Sequence, residues 1–322
     1  MKLLIGFKPD FYSGAGVFER LGECDFVRYD RQYLENKLCD YDVLVPHLFE
    51  NIDSQLISKA RRLKIVATPT TGTDHIGVET LHKNGIKLIT LNEVPEFINE
   101  ISSTAELSWL LIMACVRKFP QVLNRVKIEK SWVNTDLRGR ELSGKTIGII
   151  GYGRLGKMVA RYAQAFNMRV LINDNDSRII VPDNIERVAL GDLFQRSDII
   201  SLHVKLNNTS RKLINLEAIS LMKDGVIIVN TARGEVIDSE AAIAGLDSGK
   251  IGALGIDVCC HEYQSARLPE DPLVTRMLRD DRIMVTPHIG GSTYDAHAKV
   301  FGKIAELIAL YLESVGEAPK KG

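Results

Sequence analysis

Short apolar runs alternate with amphipathic stretches along the first hundred or so residues of the chain. The apolar runs, each of a length typical of a β-strand, lie at 3–6, 26–29, 43–46, 65–67 and 87–90. Between them apolar residues recur at helical spacing, most clearly after Asp53, a suitable N-cap, through Leu56, Ile57 and Ala60. Such alternation predicts βαβ units around a parallel sheet. We therefore expect a small α/β domain at the start of the chain.

The remainder of the chain continues the alternation on a larger scale. An apolar segment at 98–117 predicts a long helix. Further strands are expected from 145 onward, at 169–173, 199–203, 226–230, 253–256 and 283–286. They predict a doubly wound sheet of six or seven strands, followed by a last helix over 294–312.

Composition narrows the class of protein. The chain has 322 residues, enough for two domains of ordinary size, and its 41 basic and 41 acidic side chains cancel. The chain has no long basic run, so nothing in its charge indicates a nucleic-acid partner. Its apolar start is too short for a signal peptide or a membrane span. The five cysteines fit neither a disulfide framework nor metal-ligand spacing, which favours reduced thiols in a cytoplasmic protein without a metal site.

The most specific chemical signal is the glycine-rich sequence GYGRLG at 151–156, between an apolar strand and a helical segment. Gly151 suits a tight turn, Gly153 lets the backbone approach a pyrophosphate, and Gly156 lets the helix pack close to the strand. The helix N-terminus then offers N–H donors to phosphates. Asp174 ends the next strand 18 residues after Gly156 and can accept both hydroxyls of an adenosine ribose. Together these features predict a dinucleotide site.

The same acidic residue bears on the choice of dinucleotide. Asp174 would repel a 2′-phosphate, which favours NAD over NADP. Arg178 lies close enough in sequence to bind such a phosphate. We prefer to interpret it as a solvated loop residue, the usual situation of a surface arginine.

Three chemically capable residues follow strands expected in the second sheet: Arg233, Glu262 and His288. Open α/β sheets place ligands at the carboxyl ends of their strands. Reduction of a 2-keto acid needs a proton donor, which suits a histidine, and a neighbouring carboxylate fixes its tautomer. An arginine binds a carboxylate with a fork of donors. Taken singly, each residue is more often a surface or capping residue, so the hypothesis depends on their occurring together.

The sequences TARGEVID at 231–238, GIDV at 255–258 and TPHIGGST at 286–293 follow the dinucleotide turn in this order. At these residues the chain resembles the D-isomer-specific 2-hydroxyacid dehydrogenases, over nearly its whole length. The resemblance implies an α/β fold with a doubly wound Rossmann cofactor domain, at 99–289, inserted in a smaller flavodoxin-like α/β substrate domain formed by 1–98 and 290–322. It also implies an NAD-dependent oxidoreductase that interconverts a small D-2-hydroxy acid and its 2-keto acid by hydride transfer. The family's usual assembly is a homodimer through the cofactor domains.

The resemblance also implies roles for individual residues. His288 would be the acid/base group, Glu262 its partner and Arg233 the residue that orients substrate. Substrate binding is further implied at Thr71 and Gly72.

Cofactor contacts implied by the resemblance extend beyond the glycine-rich turn. Arg154 and Leu155 would lie over the pyrophosphate, Asp257 would hold the nicotinamide carboxamide, and His203 would line the adenine side. The other residues implied to contact the cofactor are Thr104, Thr231, Ala232, Arg233, His288 and Gly290.

Alternatives remain open at this stage. An NAD(H)-sensing, corepressor-like binding protein would share the fold and the catalytic set. Glu262 disfavours a formate dehydrogenase, whose histidine pairs with an amide, and His75 stands near the position where phosphite enzymes have a lysine. His47 occurs where phosphoglycerate-type relatives have arginine, which favours a short, unphosphorylated 2-keto acid.

Overall fold

The protein is described here by a computed structural model that covers residues 1–28, 30–47, 50–262 and 270–317. Its strands are β1 (Lys2–Ile5), β2 (Glu23–Phe26), β3 (Val43–Val45), β4 (Ile65–Thr68), β5 (Lys87–Thr90), β6 (Thr146–Ile150), β7 (Arg169–Asn173), β8 (Glu186–Arg187), β9 (Ile199–Leu202), β10 (Val226–Asn230), β11 (Ile251–Ile256) and β12 (Ile283–Val285).

The α-helices are α1 (Arg31–Lys37), α2 (Ser54–Lys59), α3 (Val78–Lys83), α4 (Pro95–Ile98), α5 (Ser103–Val116), α6 (Phe119–Lys127), α7 (Arg154–Ala165), α8 (Leu190–Arg196), α9 (Leu216–Leu221), α10 (Ser239–Asp247), α11 (Pro272–Met277) and α12 (Tyr294–Ser314). Short 3₁₀ helices occur at Ala15–Leu21, Leu38–Asp40, Leu91–Glu93 and Gly234–Val236. No helix in the described ranges has the length and hydropathy needed to cross a membrane.

The chain folds into two compact units. The terminal unit comprises Met1–Ile101 and Ser292–Gly322, and the central unit comprises Ser102–Gly291. The sequence predicts these divisions after residues 98 and 289, whereas in the structure they fall after Ile101 and Gly291.

The terminal unit is built on a five-stranded parallel sheet with the order β2-β1-β3-β4-β5, which is the flavodoxin-like order. Neighbouring residues of β1 belong to different hydrophobic clusters: Leu3 is in the cluster of Phe18 and Phe301, whereas Leu4 is in the cluster of Leu34. A strand buried on both faces is apolar throughout rather than alternating, which is why β1 appears in the sequence as a continuous apolar run. The carboxylate of Asp53 accepts a hydrogen bond from the Leu56 N–H and caps α2, as predicted.

The central unit contains a seven-stranded parallel sheet with the order β8-β7-β6-β9-β10-β11-β12. Reversal of the strand order between β6 and β9 makes this the doubly wound Rossmann arrangement. Both faces are covered, since Ile149 and Ile150 of β6 belong to different hydrophobic clusters. The predicted fold class is confirmed for both units.

Two predicted elements differ from the observed ones by three residues or more at their N-terminal bound. The helix expected over 98–117 is instead α5, beginning at Ser103, with the separate α4 before it. Asn99, Glu100 and Ser102 interrupt the apolar run, and Ser and Asn side chains compete for backbone hydrogen bonds in helix interiors. The strand expected at 26–29 is preceded by the observed β2 at Glu23–Phe26, and residue 29 lies outside the described residues. β2 is an edge strand whose charged residues do not produce an apolar run.

Candidate active site

The glycine-rich turn connects β6 to α7 in the central unit. Gly151 has φ +90°, a left-handed conformation, and an added Cβ would lie 2.6 Å from the carbonyl oxygen of His203. A Cβ on Gly156 would collide with the Gly151 carbonyl. Gly153 is the N-cap of α7, provides no side-chain cap, and borders open space within 4 Å of its would-be Cβ. The turn therefore presents the α7 N-terminus without an intervening side chain.

The end of β7 is tied to this turn by Asp174. Its Oδ2 accepts the Tyr152 N–H at 2.6 Å and its Oδ1 accepts the Asp176 N–H at 2.8 Å. Arg178 forms a two-point ion pair with Asp176, both N–O distances being 2.9 Å, and its side chain is 88% exposed. Arg178 is therefore the exposed loop residue that the sequence analysis preferred.

These residues fit a dinucleotide. The uncapped helix N-terminus and the open space at Gly153 suit a pyrophosphate, and a carboxylate stands at the end of the neighbouring strand. Arg154 and Leu155 form the first turn of α7, as required for contacts above the phosphates. Burial lowers the pKa of Arg154 from its usual value, although a guanidinium stays protonated in proteins.

His203 lies on the other side of the glycine-rich turn, immediately after β9. Its N–H donates to the Ile150 carbonyl at 2.8 Å, and its Nε2 is 2.8 Å from the Ser201 hydroxyl. Burial lowers the pKa of His203 to about 4, which keeps the ring neutral. Its Nδ1 is buried and has no hydrogen-bond partner among the described residues.

The three strand-end residues follow β10, β11 and β12, which are neighbours in the sheet. The structure brings two of them into direct contact: His288 Nδ1 is 2.8 Å from Glu262 Oε1. Their side chains are 17% and 9% exposed. The second Glu262 oxygen accepts the Cys259 N–H at 3.2 Å, so the carboxylate itself is anchored. The histidine is thereby fixed through one ring nitrogen.

The loop that carries His288 is held by the buried carboxylate of Asp257. This carboxylate accepts the Thr286 hydroxyl at 2.6 Å and the N–H groups of Ile289 and Gly290 at 2.9 and 2.8 Å. Burial raises the pKa of Asp257, and these hydrogen bonds act in the opposite direction. His288 itself adopts φ +51°, a left-handed conformation that a non-glycine residue rarely takes, and its N–H donates to the Asp257 carbonyl.

Gly290 lies close to two other predicted cofactor residues. An added Cβ would lie 2.9 Å from Asp257 Oδ2 and 3.1 Å from Thr104 Cγ2. Thr104, Asp257 and Gly290 are therefore neighbours, although they come from α5, the end of β11 and the loop after β12.

The Arg233 loop is held by a residue that the sequence analysis missed. Asn230 ends β10, donates through its amide to the Arg233 carbonyl at 2.8 Å and accepts the Ala232 N–H at 3.0 Å. Asparagine next to a turn commonly forms such local hydrogen bonds, and that was the available signal. Ser108 is a second residue that holds this loop and that no sequence motif or spacing indicates. Its hydroxyl lies 2.7 Å from that of Thr231 and ties α5 to this loop.

Thr71 and Gly72, the other predicted substrate residues, lie in the terminal unit, in the loop after β4. Two side chains fix this loop. Thr70 donates to the Gly72 carbonyl at 2.7 Å, and Asn92 donates to the Thr71 carbonyl at 2.9 Å.

Comparisons with known proteins agree with this geometry. Residues 109–290 match the family model described as D-isomer specific 2-hydroxyacid dehydrogenase, NAD binding domain. A hydroxypyruvate reductase from Thermotoga maritima is 38% identical over 269 residues, 84% of each chain. A glyoxylate reductase from Thermococcus onnurineus is 34% identical over 300 residues, covering 90% of this chain and 84% of the relative. A D-lactate dehydrogenase from Aquifex aeolicus, solved with NAD and lactic acid, superposes with a TM-score of 0.83 at 28% identity, over 98% of this chain and 96% of that one.

Proposed function

We propose that this chain, which belongs to the D-isomer specific 2-hydroxyacid dehydrogenase family, reduces a short, unphosphorylated 2-keto acid with NADH. Family membership rests on a match over more than half of the chain and on relatives more than 30% identical across most of it. The NAD-dependent oxidoreductase class predicted from the sequence is thereby confirmed. None of the similar proteins described above supports the corepressor-like alternative.

The observation that carries the proposal is the His288–Glu262 pair. Because Glu262 engages Nδ1 at 2.8 Å, the proton exchanged with substrate belongs to Nε2. In the direction of reduction, the ring donates this proton to the carbonyl oxygen as the hydride reaches the carbon. The carboxylate of Glu262 fixes the orientation of the ring and stabilises its protonated form. Oxidation of the hydroxy acid uses the same atoms in reverse.

Arg233 is proposed to orient the substrate. Its guanidinium presents a fork of donors that matches a carboxylate and a neighbouring keto oxygen. Asn230 restrains the backbone on both sides of this residue, so the position of the guanidinium does not depend on the arginine side chain alone. In the terminal unit, Thr71 and Gly72 are proposed to bind the substrate through their fixed loop.

The cofactor would be held by the central unit. The glycine-rich turn and the α7 N-terminus would bind the pyrophosphate, with Asp174 on the adenosine ribose and Asp257 on the nicotinamide carboxamide. When bound, NADH supplies the hydride. The remaining cofactor contacts that we propose come from Thr104, Arg154, Leu155, His203, Thr231, Ala232, Arg233, His288 and Gly290.

Two observations support a short, unphosphorylated substrate. Relatives that cover most of the chain are named as reductases of hydroxypyruvate and glyoxylate, which are both short 2-keto acids. In addition, the strand end after β3 carries His47, which lacks the fork of donors that arginine presents to a phosphate.

The test is loss of NADH absorbance with a panel of glyoxylate, hydroxypyruvate, pyruvate, 2-ketobutyrate, phenylpyruvate and phosphohydroxypyruvate. We expect rapid turnover with one of the short acids. His288→Ala should reduce turnover by ~10²–10⁴, the usual contribution of a general acid, while NADH still binds. His82→Ala, which changes an exposed histidine of α3, is the matched control and should be fully active. Comparable turnover in His288→Ala would exclude the proposed role of His288.

We further propose a cytoplasmic homodimer formed through the central unit. Free cysteines support the compartment. Apolar side chains on α6 and just after it support the interface, because monomers rarely expose so many together: Phe119 is 46%, Ile128 74%, Trp132 90% and Val133 56% exposed. Light scattering of the purified protein distinguishes a dimer from a monomer.

A further inference from the structure

A cluster of aromatic and imidazole rings lies at the carboxyl edge of the terminal unit's sheet. We call it the switch-point cluster; its members are Phe7, Tyr12, His47, His297 and Phe301. The first two follow β1, the third follows β3, and the last two lie on α12. In the order β2-β1-β3-β4-β5, the winding of the chain reverses between β1 and β3. Open α/β sheets bind ligands outside the carboxyl ends of their strands at such a reversal.

The cluster has an apolar base and a polar part. Phe7 and Phe301 are 4% and 0% exposed, with ring centroids 4.9 Å apart. Three half-buried rings that bear polar atoms pack on this base. The ring centroids of Tyr12 and His47 lie 5.0 and 5.1 Å from that of Phe7. The ring centroid of His297 lies 5.5 Å from that of Phe301. Polar atoms that converge on an apolar wall are typical of a small-molecule site.

Two polar atoms of the cluster are paired with each other. Tyr12 Oη lies 2.8 Å from His47 Nε2. A tyrosine hydroxyl has one hydrogen to donate and two lone pairs to accept with, so Tyr12 keeps an acceptor position whichever group donates. If the imidazole donates, the Tyr12 hydrogen is also available. The Tyr12 oxygen can therefore bind the hydroxyl group of a ligand.

The cluster is neutral near neutral pH. Burial is the main cause that lowers the pKa of His47 to about 4, and the nearby Arg28 and His297 act in the same direction. Burial also lowers the pKa of His297 and raises that of Tyr12. Neutral donors and acceptors suit an alcohol better than a phosphate, which requires charge-assisted contacts.

We propose that Tyr12, positioned by His47, binds a hydroxyl group on C3 of the 2-keto acid substrate. The inference rests on the proposed function and deepens it. The loop of Thr71 and Gly72, proposed above for substrate binding, follows β4, which is next to β3 in the same sheet. The two sites thus follow adjacent strands at one edge, and the chain would prefer a 3-hydroxylated keto acid to one that ends in a methyl group.

The test compares kcat/KM for hydroxypyruvate and pyruvate, which differ by this hydroxyl. The unmodified chain should prefer hydroxypyruvate. Tyr12→Phe keeps the ring that packs on Phe7 but removes the hydroxyl, and it should lower kcat/KM for hydroxypyruvate about tenfold, the effect of one hydrogen bond, while changing that for pyruvate by less than about twofold. Tyr33→Phe is the matched control: it also removes a hydrogen-bonded hydroxyl in the terminal unit and should leave the ratio unchanged.

The ratio of kcat/KM for hydroxypyruvate to kcat/KM for pyruvate does not depend on the fraction of active protein. A variant that folds only in part therefore still tests the inference. His47→Phe should also lower the ratio, because Tyr12 loses the group that positions it. An unchanged ratio in Tyr12→Phe, or equal loss with both substrates, would overturn the inference but not the proposed function. Preference of the unmodified chain for phosphohydroxypyruvate would also overturn it, in favour of an anion site that uses Arg28. Failure of the unmodified chain to reduce any 2-keto acid would refute the proposed function itself, and this inference with it.

Discussion

Replacement of Asp174 by alanine tests the cofactor assignment most directly. In the structure this carboxylate accepts the Tyr152 and Asp176 N–H groups, which occupies one lone pair on each oxygen. One acceptor position per oxygen remains for the two ribose hydroxyls. The alanine variant therefore loses two kinds of contact: those to the cofactor and those that hold the glycine-rich turn against β7.

The two losses have different consequences for the two dinucleotides. A hydrogen bond to a charged acceptor contributes about 1.5–3 kcal/mol, so loss of two ribose contacts should weaken NADH binding by at least ~3 kcal/mol, or about 10²-fold. NADPH carries a 2′-phosphate, and like charges about 4 Å apart repel by up to about 4 kcal/mol near a protein surface before salt screening. Removing the carboxylate relieves that repulsion. We therefore expect NADPH affinity to stay constant or rise, so that the preference for NADH falls by ~10² or more.

Dissociation constants for NADH and NADPH, measured by fluorescence titration at fixed salt, give this preference. Asp183→Ala, which removes an exposed carboxylate farther along the same connection between β7 and β8, is the control and should change neither constant. If Asp174→Ala weakens both dinucleotides equally, the carboxylate acts only through the turn that it anchors. That result would refute the ribose assignment while leaving the dinucleotide site intact.

Three further changes have defined outcomes. Asp176→Ala releases Arg178 from its ion pair, so NADPH should bind several-fold more tightly in the same titration, with NADH unchanged. Gly156→Ala places a methyl group against the Gly151 carbonyl and should lower both the melting temperature and the NADH affinity. Its control is Gly191→Ala, which has nothing within 4 Å of the added Cβ and should leave both quantities unchanged. Glu262→Gln keeps a group of the same size beside the His288 ring but removes its charge; kcat should fall about tenfold to a hundredfold, with NADH binding retained in titrations.

Much of the fold was predictable because most of its strands are buried on both faces. Such strands produce continuous apolar runs, and the runs at 43–46 and 65–67 mark two of them. Two of the edge strands, β2 and β8, were harder to predict for the same physical reason. Glu23–Phe26 contains two acidic residues, and Glu186–Arg187 is a two-residue strand of charged residues with no apolar signal. An edge strand is stabilised by one neighbour and often carries charge, so its sequence resembles a loop.

The candidate site shows a similar limit. Motifs and strand ends predict Arg233, Glu262 and His288 as site residues, because their positions follow from local order along the chain. The contacts that fix these side chains come from elsewhere in the fold. Ser108 reaches Thr231 from a helix 123 residues away in sequence, and no spacing rule predicts such a contact. What the sequence leaves open is therefore how the proposed reactive groups are held in place.

Asp257 illustrates how one residue can have a role that its sequence motif does not reveal. The resemblance assigns it to the nicotinamide carboxamide, whereas its hydrogen bonds in the structure hold the loop of His288. The two roles are compatible. An ionised carboxylate has about four acceptor positions. Of these, Oδ1 uses two, for Thr286 and Ile289, and Oδ2 uses one, for Gly290. The position left on Oδ2 can accept a carboxamide N–H, so a single buried carboxylate would link the placement of the cofactor to that of His288.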